Sequence, residues 1–291
     1  MYGAVLNSFT YENTGGNGAG VIILNEQIED SEKQKIAAEI GLSETAFIKH
    51  IDDTTFDVSF FTPLCEVELC GHATIAAFFY LGIEGIIKGF NETKKVYQRT
   101  KAGVLEIEVS FKESIPQYVL MQQSEPEIFE ELEGIDVAKI AKSLNIEENQ
   151  IGLDGHDIKA AIVSTGLKDI IIPVKSRDVL NNIKADFKMI EEFSVEKGVV
   201  GYHVYSMDGN KFFARNFAPA VGINEECATG TSNGALGSLL FMKKITRKVM
   251  EVIQGESMNQ KSVIFVQVSE NNHTLDVRVG GKASILKNLY F

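Results

Sequence analysis

At 291 residues, with 40 acidic side chains against 28 basic ones, the chain carries a formal charge of −12. That balance excludes a nucleic-acid binder and a protein held to anionic membranes, because both need clustered Lys and Arg. A composition of 44% apolar and 23% charged residues is that of a globular protein with enough chain for two medium domains.

In chain order, short strands are predicted at 4–9, 20–24, 46–50, 56–61 and 104–111, from alternating or β-branched runs. Amphipathic helices are predicted at 32–40 and at 137–144, the second with Asp136 as its N-cap. The glycine-rich run 15–20 lacks Gly-Lys-Ser/Thr and a following helix, so it reads as a tight turn rather than a phosphate loop. The longest apolar stretch, 73–83, is too short for the about 20 residues a bilayer demands. The N-terminus lacks the charged and apolar regions of a signal peptide. Three cysteines, too few for a disulfide scaffold, fit a reducing compartment, and a cytoplasmic protein is expected. The acid-rich segment 125–135 reads as a loop or helix approach with a solvated acidic face, and a domain boundary is predicted near 115–130.

The second half repeats the first in outline. Phe61-Thr62-Pro63, Glu66 and Cys70-Gly71-His72-Ala73-Thr74 are matched by Phe217-Ala218-Pro219, Glu225 and Cys227-Ala228-Thr229-Gly230-Thr231. Cys70 lies nine residues after its Phe and Cys227 ten after its own. Each copy continues into an apolar run, then a glycine (Gly103, Gly255), then an alternating strand pattern. Two pseudo-twofold domains follow, with both cysteine loops expected on one cleft.

Cys70 and Cys227 each precede a predicted helix among small residues, where backbone N–H groups and the helix dipole hold an anion and favour a thiolate. A thiol on each side of a bound carboxylate could remove and deliver the α-proton, a cofactor-free racemisation or epimerisation. Glu44, between a helix and a strand, is a second candidate proton carrier. His72, beside Gly71 at the presumed helix start, is read equally as a substrate ligand or a structural histidine. Cys65 reads as buried and inert. His50, His156, His203 and His273 have no matching partner pattern, so no metal site and no cofactor are predicted.

Five motifs occur in an order that resembles the phenazine-biosynthesis PhzF-like family, of the diaminopimelate-epimerase-like fold. They are Gly16 to Val21, Leu42-Ser43-Glu44-Thr45-Ala46-Phe47, Phe61-Thr62-Pro63, Cys70 to Thr74, and Gly222-Ile223 through Thr229-Gly230-Thr231. Val163 to Gly166, Gln254-Gly255 and Val279-Gly280-Gly281 extend the likeness over nearly the whole chain. The resemblance implies a mixed α/β (α+β) fold of two similar domains, each a sheet curled around a central helix. These are placed at 1–118, with 276–291 a candidate to complete it, and 119–275. It also implies that Glu44 transfers the proton in an isomerisation, that His72 and Glu226 contact substrate, and that backbone at Gly71, Gly230 and Thr231 holds its carboxylate. Gly16-Asn17-Gly18 departs from the family's Gly-Asn-Pro, and Glu226-Cys227 from its Asp-Pro. The second departure puts a thiol where related epimerases and racemases carry their second catalytic cysteine, and Cys70 falls at their first.

The expectation is therefore a cofactor-independent isomerase of a small amino-acid-like carboxylate, working as a homodimer. The rivals are a two-cysteine racemase and a non-catalytic anion-binding protein.

Overall fold

A computed structural model describes residues 1–246, 249–272 and 274–290; His273 lies outside the described residues. The chain divides into one unit of 1–122 with 280–291 and a second of 123–279. The fold is mixed α/β.

In the first unit, β1 (Tyr2–Ser8) pairs antiparallel with β2 (Asn17–Ile23). Helix α1 (Asp30–Ile40) then carries the chain to β3 (Glu44–His50), which runs parallel to β2. Gly41, left-handed at φ 71°, ends α1 and donates its N–H to the Ala37 carbonyl. β3 turns back into β4 (Thr55–Phe61), and the short β5 (Glu66–Val67) folds onto the end of β4. Helix α2 (Gly71–Ile83) follows. Next come β6 (Thr93–Thr100), parallel to β4, then β7 (Gly103–Lys112) and β8 (Ile115–Gln122) in an antiparallel meander. The last strand of the chain, β18 (Ala283–Tyr290), returns to pair with β1.

Helix α2 packs on β1, β2, β3, β7, β8 and β18, strands from both ends of this sheet, so the sheet curls around it. That explains its composition. Every residue from Ala73 to Gly82 is buried, so the helix is apolar on all faces rather than amphipathic. Each large apolar side chain buried there contributes about 1.5–3 kcal/mol. α1 covers the outer face, where Ile36 and Ala37 pack with Ile22, Phe47 and Phe61.

The second unit repeats this order. β9 (Glu127–Glu131), α3 (Ile135–Leu144), β10 (Ala161–Ser164) and β11 (Lys168–Pro173) come first, the three strands antiparallel neighbours. α4 (Arg177–Asn182) and α5 (Phe187–Lys197) lead to β12 (Gly201–Asp208), parallel to β11. β13 (Lys211–Ala218), β14 (Ile223–Glu226), α6 (Gly230–Met242) and β15 (Val249–Gln254), parallel to β13, match β4, β5, α2 and β6. β16 (Ser262–Asn271) pairs with β15, and the chain passes back to the first unit within β17 (Thr274–Gly281). α6 packs on β10, β11, β12 and β16, while α3 and α5 share an outer core with Ile172, Tyr202 and Phe217.

Three local expectations are corrected. Asp136 is not the N-cap of α3; Gly134 is, and Asp136 sits in the first turn, 2.7 Å from Lys197 Nζ. The acid-rich segment holds the edge strand β9, whose glutamates are mostly exposed, so its acidity marks a solvated strand rather than a loop. Cys65 is exposed, because the turn after β4 is closed by the Thr62 hydroxyl, which accepts from the N–H groups of Leu64 and Cys65.

Candidate active site

The β4–turn–β5 segment delivers the chain to Cys70, which is the N-cap of α2. Its side chain makes no capping bond, so the sulfur is directed elsewhere. It lies 3.4 Å from Nδ1 and 3.8 Å from Nε2 of His72. The end of α1 and the turn at Gly41 place Glu44 as the first residue of β3, in register with Ala19 of β2. From there Glu44 Oε2 reaches to 3.1 Å of His72 Nε2, an ion-pair contact without the alignment of a full hydrogen bond. Ser43 Oγ lies 3.4 Å from the same nitrogen. The first turn is pinned from below, where Ser8 Oγ at the end of β1 donates to the His72 carbonyl at 2.6 Å. The structure thus brings Glu44, Cys70, Gly71 and His72 together at one helix tip.

Burial pushes the Glu44 carboxyl up, but the close contact and charge of His72, with help from Ser43 and Cys70, hold it below its ordinary 4.5. Burial disfavours the His72 cation, yet the Cys70 sulfur and then the Glu44 carboxylate raise it well above 6.5. Each of these groups therefore favours the charged form of its neighbour. Glu44 keeps 20% of its side-chain surface exposed and His72 12%, enough to meet a ligand.

The corresponding tip in the second unit is built differently. Helix α6 has Thr229, not Cys227, as its N-cap. Superposing the halves by their cysteines is two residues out of register; Gly71 and Gly230, each the first residue of its helix, are the true matches. Three contacts share this register. Gln98 Nε2 donates to Thr74 Oγ1 at 3.2 Å, as Asn233 Nδ2 donates to Gln254 Oε1 at 2.8 Å. The Cys70 carbonyl accepts from Thr74 Oγ1, as the Thr229 carbonyl accepts from Asn233 Nδ2, both at 2.8 Å. Thr165 Oγ1 donates to the Thr231 carbonyl at 3.0 Å, as Ser8 does to His72.

Cys227 is buried in the loop ahead of α6. Gly255, at φ 80°, makes room for it: a Cβ there would stand 3.0 Å from the Cys227 Cβ and 2.4 Å from the Gln260 carbonyl. Thr229 Oγ1 donates to Glu226 Oε2 at 2.6 Å, and Gln254 Nε2 donates to the Glu226 carbonyl at 2.8 Å. Behind them runs a buried polar chain that sequence reasoning did not find. Ser232 Oγ donates to Asp169 Oδ2 at 2.6 Å, and Asn216 Nδ2 donates to Ser232 Oγ at 3.1 Å. Asn216 Nδ2 also lies 3.3 Å from His203 Nδ1, and His203 Nε2 3.3 Å from Asn233 Oδ1. A neutral His203 protonated on Nε2 satisfies both contacts. Burial lowers His203 to about 4, against the bond that its ring N–H donates to Asn233. Burial also raises Asp169 to about 7, with the Ser232 bond opposing and the Glu226 charge assisting. The clue available beforehand was the pair of strand glutamines, Gln98 and Gln254, each following a helix that starts at glycine.

Solved structures share this architecture. A PhzF-family protein from Bacillus anthracis matches with a TM-score of 0.83 at 24% identity, covering 99% of this chain and 98% of its own. A probable proline racemase from Agrobacterium radiobacter matches with a TM-score of 0.65 at 12% identity, covering 100% and 92%. The fold is thus that of the PhzF and racemase-like epimerases. A curated relative from Clostridium acetobutylicum, named an uncharacterised isomerase, is 36% identical over 97% of this chain and 94% of its own. The profile of the phenazine biosynthesis-like proteins matches residues 6–288, and the chain belongs to that family. It is an isomerase, and the reading as a non-catalytic anion-binding protein falls away.

Proposed function

We propose that the protein moves a proton at carbon in a small amino-acid-like carboxylate, without a cofactor, and that Glu44 carries the proton. The observation behind this is the ionised Glu44 carboxylate, partly exposed and 3.1 Å from the His72 imidazole. The carboxylate takes a proton from a C–H bond made acidic by the substrate's own conjugation, and the freed electron pair shifts within the substrate. The protonated Glu44 carboxyl exchanges with solvent while the intermediate lasts and then delivers a proton to another carbon, giving an isomer of the same formula. His72, cationic beside it, lowers the energy of the anionic intermediate. Gly71 at the tip of α2, and Gly230 and Thr231 at the tip of α6, offer N–H groups of the kind that bind a carboxylate. Glu226, held by Thr229, is a further substrate contact.

The two-thiol reading draws support from Cys70, the N-cap of α2 beside His72. It ranks second because Cys227 is two residues short of the α6 cap, outside the position where the dipole most favours a thiolate. A cytoplasmic protein is also proposed, on three cysteines that fit a reducing compartment, and a homodimer, the commonest oligomer of soluble proteins.

Incubating the protein with a panel of amino-acid and unsaturated cyclic carboxylates in deuterated water tests the reading. One member should gain carbon-bound deuterium, seen by NMR, as its isomer accumulates. Isomer formed with no deuterium, by an enzyme that exchanges Glu44 freely with solvent, would refute proton transfer through the carboxylate.

A further inference from the structure

Among the described residues, Glu44, Cys70 and His72 form the one group of three or more Asp, Glu, His and Cys side chains gathered closely enough to hold a metal ion, with their ligand atoms all within 4.8 Å of one another. The chemistry of the set is specific. It offers one thiolate, one imidazole and one carboxylate, a ligand mixture that suits a borderline-soft divalent cation such as zinc and not magnesium or calcium, which take oxygen ligands.

The distances fit as well. Zinc holds sulfur at about 2.3 Å, and nitrogen and oxygen at about 2.0–2.2 Å, so tetrahedral ligand pairs stand about 3.3–3.6 Å apart. His72 Nε2 lies 3.1 Å from Glu44 Oε2 and 3.8 Å from Cys70 Sγ, on either side of that range. Small side-chain shifts close the difference, and the backbone is already held by the Ser8 bond to the His72 carbonyl and by the Thr74 bond to the Cys70 carbonyl. Three protein ligands would leave the fourth position of a tetrahedral ion open.

We propose that this cluster is a zinc-binding site, and that zinc bound there switches the enzyme off. The ion takes the lone pairs of Glu44 and His72 Nε2, so the carboxylate can no longer accept a carbon-bound proton. The effect on turnover rests on the proposed role of Glu44; metal binding itself does not.

The test uses cobalt(II) as a coloured stand-in for zinc, added to the intact reduced protein. One equivalent should produce a thiolate-to-cobalt charge-transfer band in the near ultraviolet, bleached by one equivalent of zinc. C70S should lose the band while C65S and C227S keep it. H72Q should weaken zinc, measured against a chromophoric chelator, by more than the roughly 10–100-fold that an outer-shell change costs. Serine is a good helix N-cap, so C70S keeps the fold, and circular dichroism checks this. A band that survives in C70S, or no band in the unmodified protein, overturns the site. Binding is read without turnover, so the two proposals fail separately. A cobalt band together with an active E44Q variant refutes the role of Glu44 alone, and an inactive E44Q variant with no band in the parent refutes the metal alone.

Discussion

The tips of α2 and α6 occupy the same place in two copies of one topology, yet they are chemically opposite. The α2 tip gathers a carboxylate, an imidazolium and a thiol within 4.8 Å. The α6 tip is backed by a chain of hydroxyls and amides with a neutral histidine, and the Glu226 carboxylate accepts from its cap residue Thr229. What both keep is the latch: a strand glutamine bonded to the residue three positions past the helix-opening glycine. Duplication has preserved the scaffold that holds a helix tip, while the side chains that do chemistry have diverged. One tip is then rich in ionisable groups and the other in neutral hydrogen-bonding ones.

The comparison is sharpened most by His72→Gln. Loss of the imidazolium should cut turnover by about 10²-fold or more, within the usual range for a positioned acid or base. The pH profile should also change shape. In the parent, activity should fall on the acid side as Glu44 protonates and on the alkaline side as His72 deprotonates. Without His72 the carboxyl loses its main stabilising partner, so the acid limb moves to higher pH and the alkaline limb disappears. Stability follows the same signs. Glu44 contributes fully above 4.5 and loses its contribution as pH drops through its lower folded value, whereas His72 contributes fully below 6.5 and loses it as pH rises through its higher one. The gap in melting temperature between parent and variant should therefore be widest between those two values.

The two latches give the next largest effect. Gln254→Ala removes one of two partners from Asn233 Nδ2 and from the Thr229 hydroxyl, together with the bonds to the Thr229 N–H and the Glu226 carbonyl, whereas Gln98→Ala removes one of two partners from Thr74. Each buried polar group left unpaired costs about 1–3 kcal/mol. Denaturant unfolding should show the Gln254 variant to be the less stable of the two. Equal losses would mean that the α6 network is not a cooperative structure.

Asp169→Asn should have the smallest effect. The carboxyl titrates at about 7 in the folded protein against an ordinary 3.8, so ionising it costs the folded state stability as pH rises between those values. The asparagine variant escapes that cost, and its melting temperature relative to the parent should climb from pH 4 to pH 7 and then level. A flat difference would show that Asp169 is ionised throughout.

Much of this was legible in the sequence, and the boundary is instructive. The repeat, the two core helices and the candidacy of Glu44 and His72 all come from local pattern: an apolar run too even for an amphipathic helix, and polar residues at its mouth. The register between the halves did not, because cysteine is the conspicuous residue and glycine the structural one; the loop before α6 holds two more residues between its cysteine and its helix. Nor did the Asp169–Ser232–Asn216–His203 chain, since its members are drawn from β11, α6, β13 and β12, and local spacing carries no trace of contacts between distant segments. Glu225 is a similar case. In sequence it is only the counterpart of Glu66 in the repeat, but it forms a forked ion pair with Arg215 at 2.8 and 2.9 Å, whose remaining nitrogen bonds the Leu180 and Ile183 carbonyls. That is a structural clamp.

The central claim is that the proton moves through the α2 tip by way of Glu44 rather than between two thiols. Deuterium wash-in by Glu44→Gln and Cys227→Ser, measured side by side on the substrate identified from the panel, tests it most directly. The account predicts that the glutamine variant still binds the substrate but exchanges about 10²–10⁴-fold more slowly, while the serine variant exchanges at close to the parent rate. A dead serine variant beside an active glutamine variant would contradict it and establish the paired-thiol mechanism instead.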